Sequence, residues 1–151
     1  MLTTVATQVS VIGSGAEWEE AAEEVGRLLA GRGCTVVTGG LDEVMAAAHR
    51  GAKAAGGTTI AILPGEDRAA ANPWADHVVV TGIGHARDLA VAASGDAVIA
   101  VGGSYGTIAE IALALMLGRR VVALAGAPDL VGALRAESPK EAVKLALRHL
   151  G

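Results

Sequence analysis

Apolar runs of five or six residues recur along this chain, and four of them end at paired glycines. Gln8–Ile12 leads into Gly13-Ser14-Gly15, Cys34–Thr38 into Gly39-Gly40, His77–Thr81 into Gly82-Ile83-Gly84, and Ala97–Val101 into Gly102-Gly103. A segment with apolar residues at helical spacing follows each of them, as in Trp18, Ala21, Ala22, Val25, Leu28 and Leu29. Thr58–Leu63 and Arg120–Ala125 are two further strand-like runs. Strands alternating with helices at this spacing predict one doubly wound α/β domain over residues 1–151, a mostly parallel sheet covered by helices on both faces. The strands are nearly continuous in apolar residues, as expected where both faces are buried. In such a sheet the glycine turns fall along one edge, the edge where open α/β folds take ligands.

Local signals give the element ends. Ser14 with Glu17 reads as a capping box for the first helix, and Asp42 as the cap of a second helix beginning at Leu41. Gly31 and Gly33 end the first helix. Residues 64–75 form a long irregular stretch, with Trp74 expected to pack it onto the body. Residues 126–137 favour no element. Ser138-Pro139-Lys140-Glu141 opens a last helix, with Ser as cap, Pro at the first position and Glu as the capping-box partner.

Composition narrows the function. Apolar residues make up 52% of the chain but Phe is absent, so Val, Ile, Leu and Ala must build the core and helices can approach the sheet closely. The net charge of −4, with no basic run, argues against nucleic acid as a partner. No apolar run is long enough to span a bilayer and no signal peptide is evident, so a cytoplasmic protein without a membrane partner is expected. Cys34 is the single cysteine and the four histidines are scattered, so neither a disulfide nor a metal site is expected. No cofactor is expected to be needed for folding.

The richest stretch is Val101-Gly102-Gly103-Ser104-Tyr105-Gly106-Thr107-Ile108-Ala109-Glu110. It reads as strand, glycine turn, helix. Free amides at a helix start favour an anion, Thr107 adds a hydroxyl, and Glu110 follows one turn later on the same face. No Gly-x-Gly-x-x-Gly follows the first strand and no Gly-Lys-Ser/Thr occurs, which disfavours a usual dinucleotide site and a Walker-type ATPase. An anion cradle with a neighbouring carboxylate is the expectation. Its anion-binding residues are Gly13, Ser14, Gly39, Gly40, Gly82, Arg87, Gly102, Gly103, Ser104, Gly106 and Thr107. His85 is a lesser polar candidate. An Arg87–Glu110 ion pair tying two helices together is the bland alternative. The helix over Ile108–Leu117 is apolar nearly all round, which predicts full burial or a subunit interface.

The 102–110 segment resembles the Gly-Gly-x-Gly-Thr-x-x-Glu signature of the Lonely Guy phosphoribohydrolases, long misannotated as lysine decarboxylases, with one extra residue at Ser104-Tyr105. Thr38-Gly39-Gly40, Gly56-Gly57-Thr58, Ile62-Leu63-Pro64, Asn72-Pro73, Thr81–Arg87 and Asp96–Gly103 make the wider chain resemble a sister branch. That branch holds small bacterial proteins and the molybdenum-cofactor carriers of algae and cyanobacteria, and DNA-processing proteins share the superfamily. The resemblance implies a Rossmann-like fold, a homodimer or homotetramer, and a phosphorylated ligand, either a molybdenum-cofactor-like pterin or a nucleotide. In the hydrolases, an Arg and the motif Glu act on a ribose phosphate; Arg87 and Glu110 match them and would be catalytic if the chain were an enzyme. Two residues depart from the hydrolase pattern: Val101 stands for a Pro, and Asp88 for the Lys after the Arg. Exchanging that cation for an anion beside Arg87 should weaken a ribose-phosphate site, so a carrier is the leading expectation and a nucleoside 5′-monophosphate phosphoribohydrolase the alternative.

Overall fold

The computed structural model describes residues 5–124 and 126–150. Seven strands form one wholly parallel sheet: β1 (Gln8–Ser14), β2 (Thr35–Thr38), β3 (Thr59–Leu63), β4 (His77–Val80), β5 (Ala97–Gly102), β6 (Arg120–Ala123) and β7 (Leu134–Arg135). Five helices accompany them: α1 (Glu19–Gly31), α2 (Val44–Ala54), α3 (Arg87–Ser94), α4 (Tyr105–Met116) and α5 (Pro139–Leu147). The strand order is β4-β3-β2-β1-β5-β6-β7. The chain therefore builds outward from β1 on one side, returns to place β5 against β1, and builds outward again. The carboxyl ends of β1 and β5 are the topological switch point, where such sheets bind ligands.

Strand side chains alternate between two cores. Val9, Val11, Val36, Ile99, Val101 and Val122 meet α1, α2 and α5. Ile12, Val37, Ile62, Val98, Ala100 and Val121 meet α3 and α4. Every residue of β5 is buried, as expected at the centre of a parallel sheet, while the edge strand β4 is largely exposed.

The shortage of large side chains is used where α1 crosses α2. A Cβ on Gly26 would stand 2.0 Å from the Ala48 carbonyl oxygen, and one on Gly51 1.9 Å from that of Glu23. Backbone packs on backbone there, so Ala and Gly are required by the spacing.

Several element ends differ from the sequence reading. The Ser14–Glu17 capping box does not form: a 3-10 turn at Ala16–Trp18 intervenes, and α1 starts at Glu19 with no side-chain cap. Asp42 caps no helix, since α2 starts at Val44 and its N-cap is Glu43, which makes no cap bond either. The segment over 126–137 contains β7, whose two residues extend the sheet. The sixth strand closes at Ala123, and Ala125 lies outside the described residues. At α5 the Ser138 hydroxyl accepts from the Glu141 amide at 3.2 Å, but the Glu141 carboxylate accepts from the Glu137 amide rather than from Ser138. Helix α4 is not buried all round: Thr107, Glu110, Ile111 and Ala114 face inward, and Tyr105, Ile108 and Met116 are exposed.

Two glycine substitutions should separate these roles. Gly51→Ala is expected to destabilise the protein by about 1–3 kcal/mol through overpacking. Gly31→Ala, where nothing stands within 4 Å of the new Cβ, should be neutral or stabilising by up to about 1 kcal/mol. Urea denaturation of both variants checks the contrast, and equal effects would remove the close helix crossing as the cause.

Candidate functional site

β1 and β5 run in register to their ends, with Gly13 opposite Val101 and Ser14 opposite Gly102. Gly13 has φ 131, and a Cβ there would lie 1.8 Å from the Val101 carbonyl oxygen, so only glycine lets the two ends meet. After Gly102 the backbone turns through Gly103 at φ 115 into α4. The first helical amide bond runs from Ile108 to the Ser104 carbonyl at 3.0 Å. Of the amides that precede it, that of Thr107 is met by the Ser104 side chain in a capping box, and those of Tyr105 and Gly106 have no acceptor within the helix. The Thr107 hydroxyl folds back to accept from the Ser104 amide at 3.3 Å.

These turns open onto a cavity of about 180 Å³. Gly13, Ser14, Gly39, Arg87, Ser104, Gly106, Thr107 and Glu110 line it, together with Met45, His85 and Asp88. Four of the sequence candidates are not in the lining. Gly102 packs on Trp18 and Gly103 packs on the Thr107 side chain. Gly40 packs against Ala61 and Leu63, and Gly82 lies nearest Glu66 beneath the 64–75 stretch. They shape the turns from behind.

Arg87 begins α3 and is only 9% exposed. One end of its guanidinium meets the Asp88 carboxylate and the other donates to the Gly39 carbonyl at 3.4 Å. Its Nε is buried without a partner. A side chain at Gly39 would stand 2.7 Å from the guanidinium, so this glycine clears space for the cation. Arg87 and Glu110 form no ion pair, because Asp88 takes the cation instead. The Glu110 carboxyl is pushed up to about 8, first by burial and then by the Asp88 carboxylate, with Arg87 pulling the other way. At neutral pH it is mostly a neutral acid and a hydrogen-bond donor.

A buried network fixes the Gly39–Gly40 turn. His49, fully buried, meets Thr38 Oγ1 through Nε2 and Asn72 Nδ2 through Nδ1, both at 3.2 Å. The Asn72 amide donates to the Gly40 carbonyl at 2.8 Å, and the Gly40 amide to Thr38 Oγ1 at 2.9 Å. Desolvation drives the His49 imidazole down to about 4. Trp74 holds the 64–75 stretch to the body as expected: its carbonyl accepts from Thr59 Oγ1 at 2.6 Å, and the Arg50 guanidinium lies 5.1 Å from its ring.

Glu43 was not readable as a site residue. Its backbone sits at φ 55, ψ −122, a conformation costing on the order of 1–3 kcal/mol for a non-glycine residue. Its Oε2 accepts from the Gly15 amide at 2.6 Å, linking the turn after β2 to the turn after β1. The pair is 28 residues apart, so no local motif announces it.

A family described as the SLOG cluster4 family matches residues 6–147. The chain belongs to that family. An uncharacterised protein of Archaeoglobus fulgidus is 45% identical over 139 residues, covering 90% of this chain and 91% of that one. The molybdenum cofactor binding protein of Rippkaea orientalis superposes with a TM-score of 0.88 at 32% identity, covering 95% of this chain and 96% of its own. The molybdenum cofactor carrier protein of Chlamydomonas reinhardtii gives 0.84 at 34%, covering 93% and 96%. A cytokinin riboside 5′-monophosphate phosphoribohydrolase of Mycobacterium tuberculosis is 36% identical over 111 residues, 72% of this chain but only 59% of that protein. No helix among the described residues is long and apolar enough to cross a membrane.

The two most strongly shifted groups, Glu110 and His49, have opposite effects on stability. Glu110 keeps its proton to about pH 8 when folded but only to its ordinary value of 4.5 when unfolded, so its contribution is complete below 4.5 and lost as pH rises toward 8. His49 is depressed from 6.5 to about 4, so its contribution is complete above 6.5 and lost as pH falls toward 4. The slopes cancel between 4.5 and 6.5, and above 6.5 only Glu110 acts. Stability is therefore expected to fall by about 2 kcal/mol between pH 6.5 and 8. Glu110→Gln should abolish that fall in urea denaturation, and the same decline in the variant would exonerate Glu110.

Proposed function

We propose that this chain binds and carries an anionic phosphorylated ligand at the β1–β5 switch point, the ligand being of the molybdenum-cofactor-like pterin class. One observation carries the reading: the start of α4, where the Tyr105 and Gly106 amides have no acceptor within the helix, and the Arg87 guanidinium meet at the same cavity. Amides at a helix start and a guanidinium are the two commonest ways a protein holds phosphate. The names of the Rippkaea and Chlamydomonas proteins, similar over almost their full lengths, support a carrier. The donors suit the group's phosphate: Ser104, Gly106, Thr107 and Arg87 would hold it. At about 180 Å³ the cavity is smaller than the roughly 300–1,000 Å³ that encloses a whole small ligand, so the flat ring lies across the rim. We assign the choice of ring to the 64–75 stretch, which Asn72 bonds to the Gly40 carbonyl.

The second reading is the nucleoside 5′-monophosphate phosphoribohydrolase, favoured by Glu110 and Arg87 sharing the cavity and by the Mycobacterium relative. Cleaving an N-glycosidic bond builds positive charge on the sugar, which an ionised carboxylate stabilises. A Glu110 that holds its proton at pH 7, and an Arg87 already shared with Asp88, serve that step poorly. Binding asks less of them, since a neutral acid can donate to a phosphate oxygen.

Self-association belongs to this proposal as well. The exposed side of α4 carries Tyr105, Ile108 and Met116, and α3 beside it exposes Leu89, a face suited to a second copy.

Three outcomes follow. The purified protein should release no free base from AMP or a cytokinin riboside monophosphate; release that disappears in Glu110→Ala would replace the carrier with the hydrolase. Arg87→Ala should weaken calorimetric binding of inorganic phosphate by about tenfold or more. Ile108→Glu should lower the mass seen by light scattering, and a wild-type monomer would overturn the oligomer.

A further inference from the structure

The unusual feature beside the cavity is Glu43. Its backbone angles, φ 55 and ψ −122, are those of the first central position of a type II′ turn, a position dominated by glycine. The side chain does not justify the position by capping α2, which it immediately precedes without a cap bond. It reaches instead to the Gly15 amide at 2.6 Å. Gly15 follows Gly13 and Ser14, both of which line the cavity. A carboxylate therefore already sits on the turn after β1.

The placement of that turn gives the contact its meaning. Ser14 pairs with Gly102 on the adjoining strand, so the β1 turn and the α4 turn lie side by side, about 5 Å apart as neighbouring parallel strands are. Two linked phosphates can bridge that spacing. An independent observation points to an anion at the same cavity: Arg87, which lines it and is only 9% exposed, has a buried Nε with no hydrogen-bond partner.

We propose that the β1 turn is a second anion subsite beside the α4 turn, that Glu43 fills it in the free protein, and that a ligand with two linked anionic groups displaces the Glu43 carboxylate. This rests on the cavity being an anion-binding pocket. It adds a ligand class, diphosphates and their chemical equivalents, and a specificity residue. A ligand with one anionic group takes the α4 turn and leaves Glu43 in place. Glu43 is exposed, so once displaced its carboxylate moves into water at little cost.

Calorimetric titration with inorganic phosphate and pyrophosphate tests it, on the wild type, Glu43→Gly, Glu43→Gln and Asp42→Asn. Glycine suits the backbone angles and removes the competitor. Glu43→Gly should tighten pyrophosphate about tenfold while leaving phosphate within twofold, and Glu43→Gln should fall between. Asp42→Asn removes the same charge from the neighbouring position and should change neither probe by more than twofold. Equal tightening of both probes, tightening by Asp42→Asn to the same extent, or no effect of either Glu43 variant would overturn the subsite. Phosphate that binds the wild type and is lost in Arg87→Ala, with no Glu43 effect, retains the pocket and rejects the subsite. Phosphate that binds no variant rejects both.

Discussion

The site depends on how closely β1 and β5 meet at their carboxyl ends. These strands are neighbours in space but separated in sequence by three strands and three α-helices, and the sheet reverses its direction of growth between them. Their last residues pair directly, Gly13 with Val101 and Ser14 with Gly102. With any side chain at Gly13 the strand ends would have to part, because its Cβ would penetrate the Val101 carbonyl. Parting them would separate the two turns that line the cavity. The backbone-on-backbone crossing of α1 and α2 works toward the same end, since α2 begins next to Glu43 and its position sets the turn that carries Gly39. A scaffold poor in large side chains is a means of holding backbone amides in a small volume.

The charge pattern follows from the same compactness. Arg87 enters a space opened by Gly39 and is met by Asp88, its sequence neighbour, instead of Glu110 across the cavity. The Arg87–Asp88 pair carries no net charge, and Glu110, pushed up by burial, is mostly neutral near pH 7. The cavity thus presents donors, amides and hydroxyls and an acid proton, without a large fixed charge. An incoming anion finds no ionised Glu110 to repel it and a cation whose Nε is still unsatisfied. Exchanging cation for anion at position 88 looked, from sequence, like a loss for anion binding. In place, Asp88 also raises the Glu110 carboxyl and so helps keep it neutral.

Much of the architecture was legible because its signals are local. Short apolar runs, helical stripes and paired glycines gave six of the seven strands, all five helices and the edge on which the site lies. The two-residue β7 was lost because a pattern needs more than two residues to show a period. The helix starts at α1 and α2 were misread because Ser14 and Asp42 are good caps only when the chain turns into helix directly after them, and here a 3-10 turn and the Glu43 turn intervene. Among the glycines, spacing identified the turns but not which face of each turn looks into the cavity. Gly13, Gly39 and Gly106 do, while Gly40, Gly82, Gly102 and Gly103 pack on neighbours. Met45, which lines the cavity, and Glu43, which reaches the Gly15 amide, were missed because only the assembled sheet brings the turns after β1 and β2 together.

The His49 network shows how the 64–75 stretch, irregular as it is, is tied to the Gly39–Gly40 turn. An uncovered Gly39–Gly40 turn would leave buried carbonyls without donors. Asn72 supplies them, its backbone amide and side-chain amide both reaching Gly40, and His49 orients that side chain from beneath. A charged His49 would have to donate at both ring nitrogens, while Asn72 Nδ2 also donates toward Nδ1, so the network requires the neutral ring. Depressing the imidazole is therefore a condition for holding Asn72 in place, and Asn72 in turn holds the carbonyl-bearing turn against which Arg87 rests. The 64–75 stretch and the Arg87 side of the cavity are in this way parts of one hydrogen-bonded structure. A ligand that shifts the 64–75 stretch acts on the Arg87 side of the cavity through Asn72, Gly40 and Gly39.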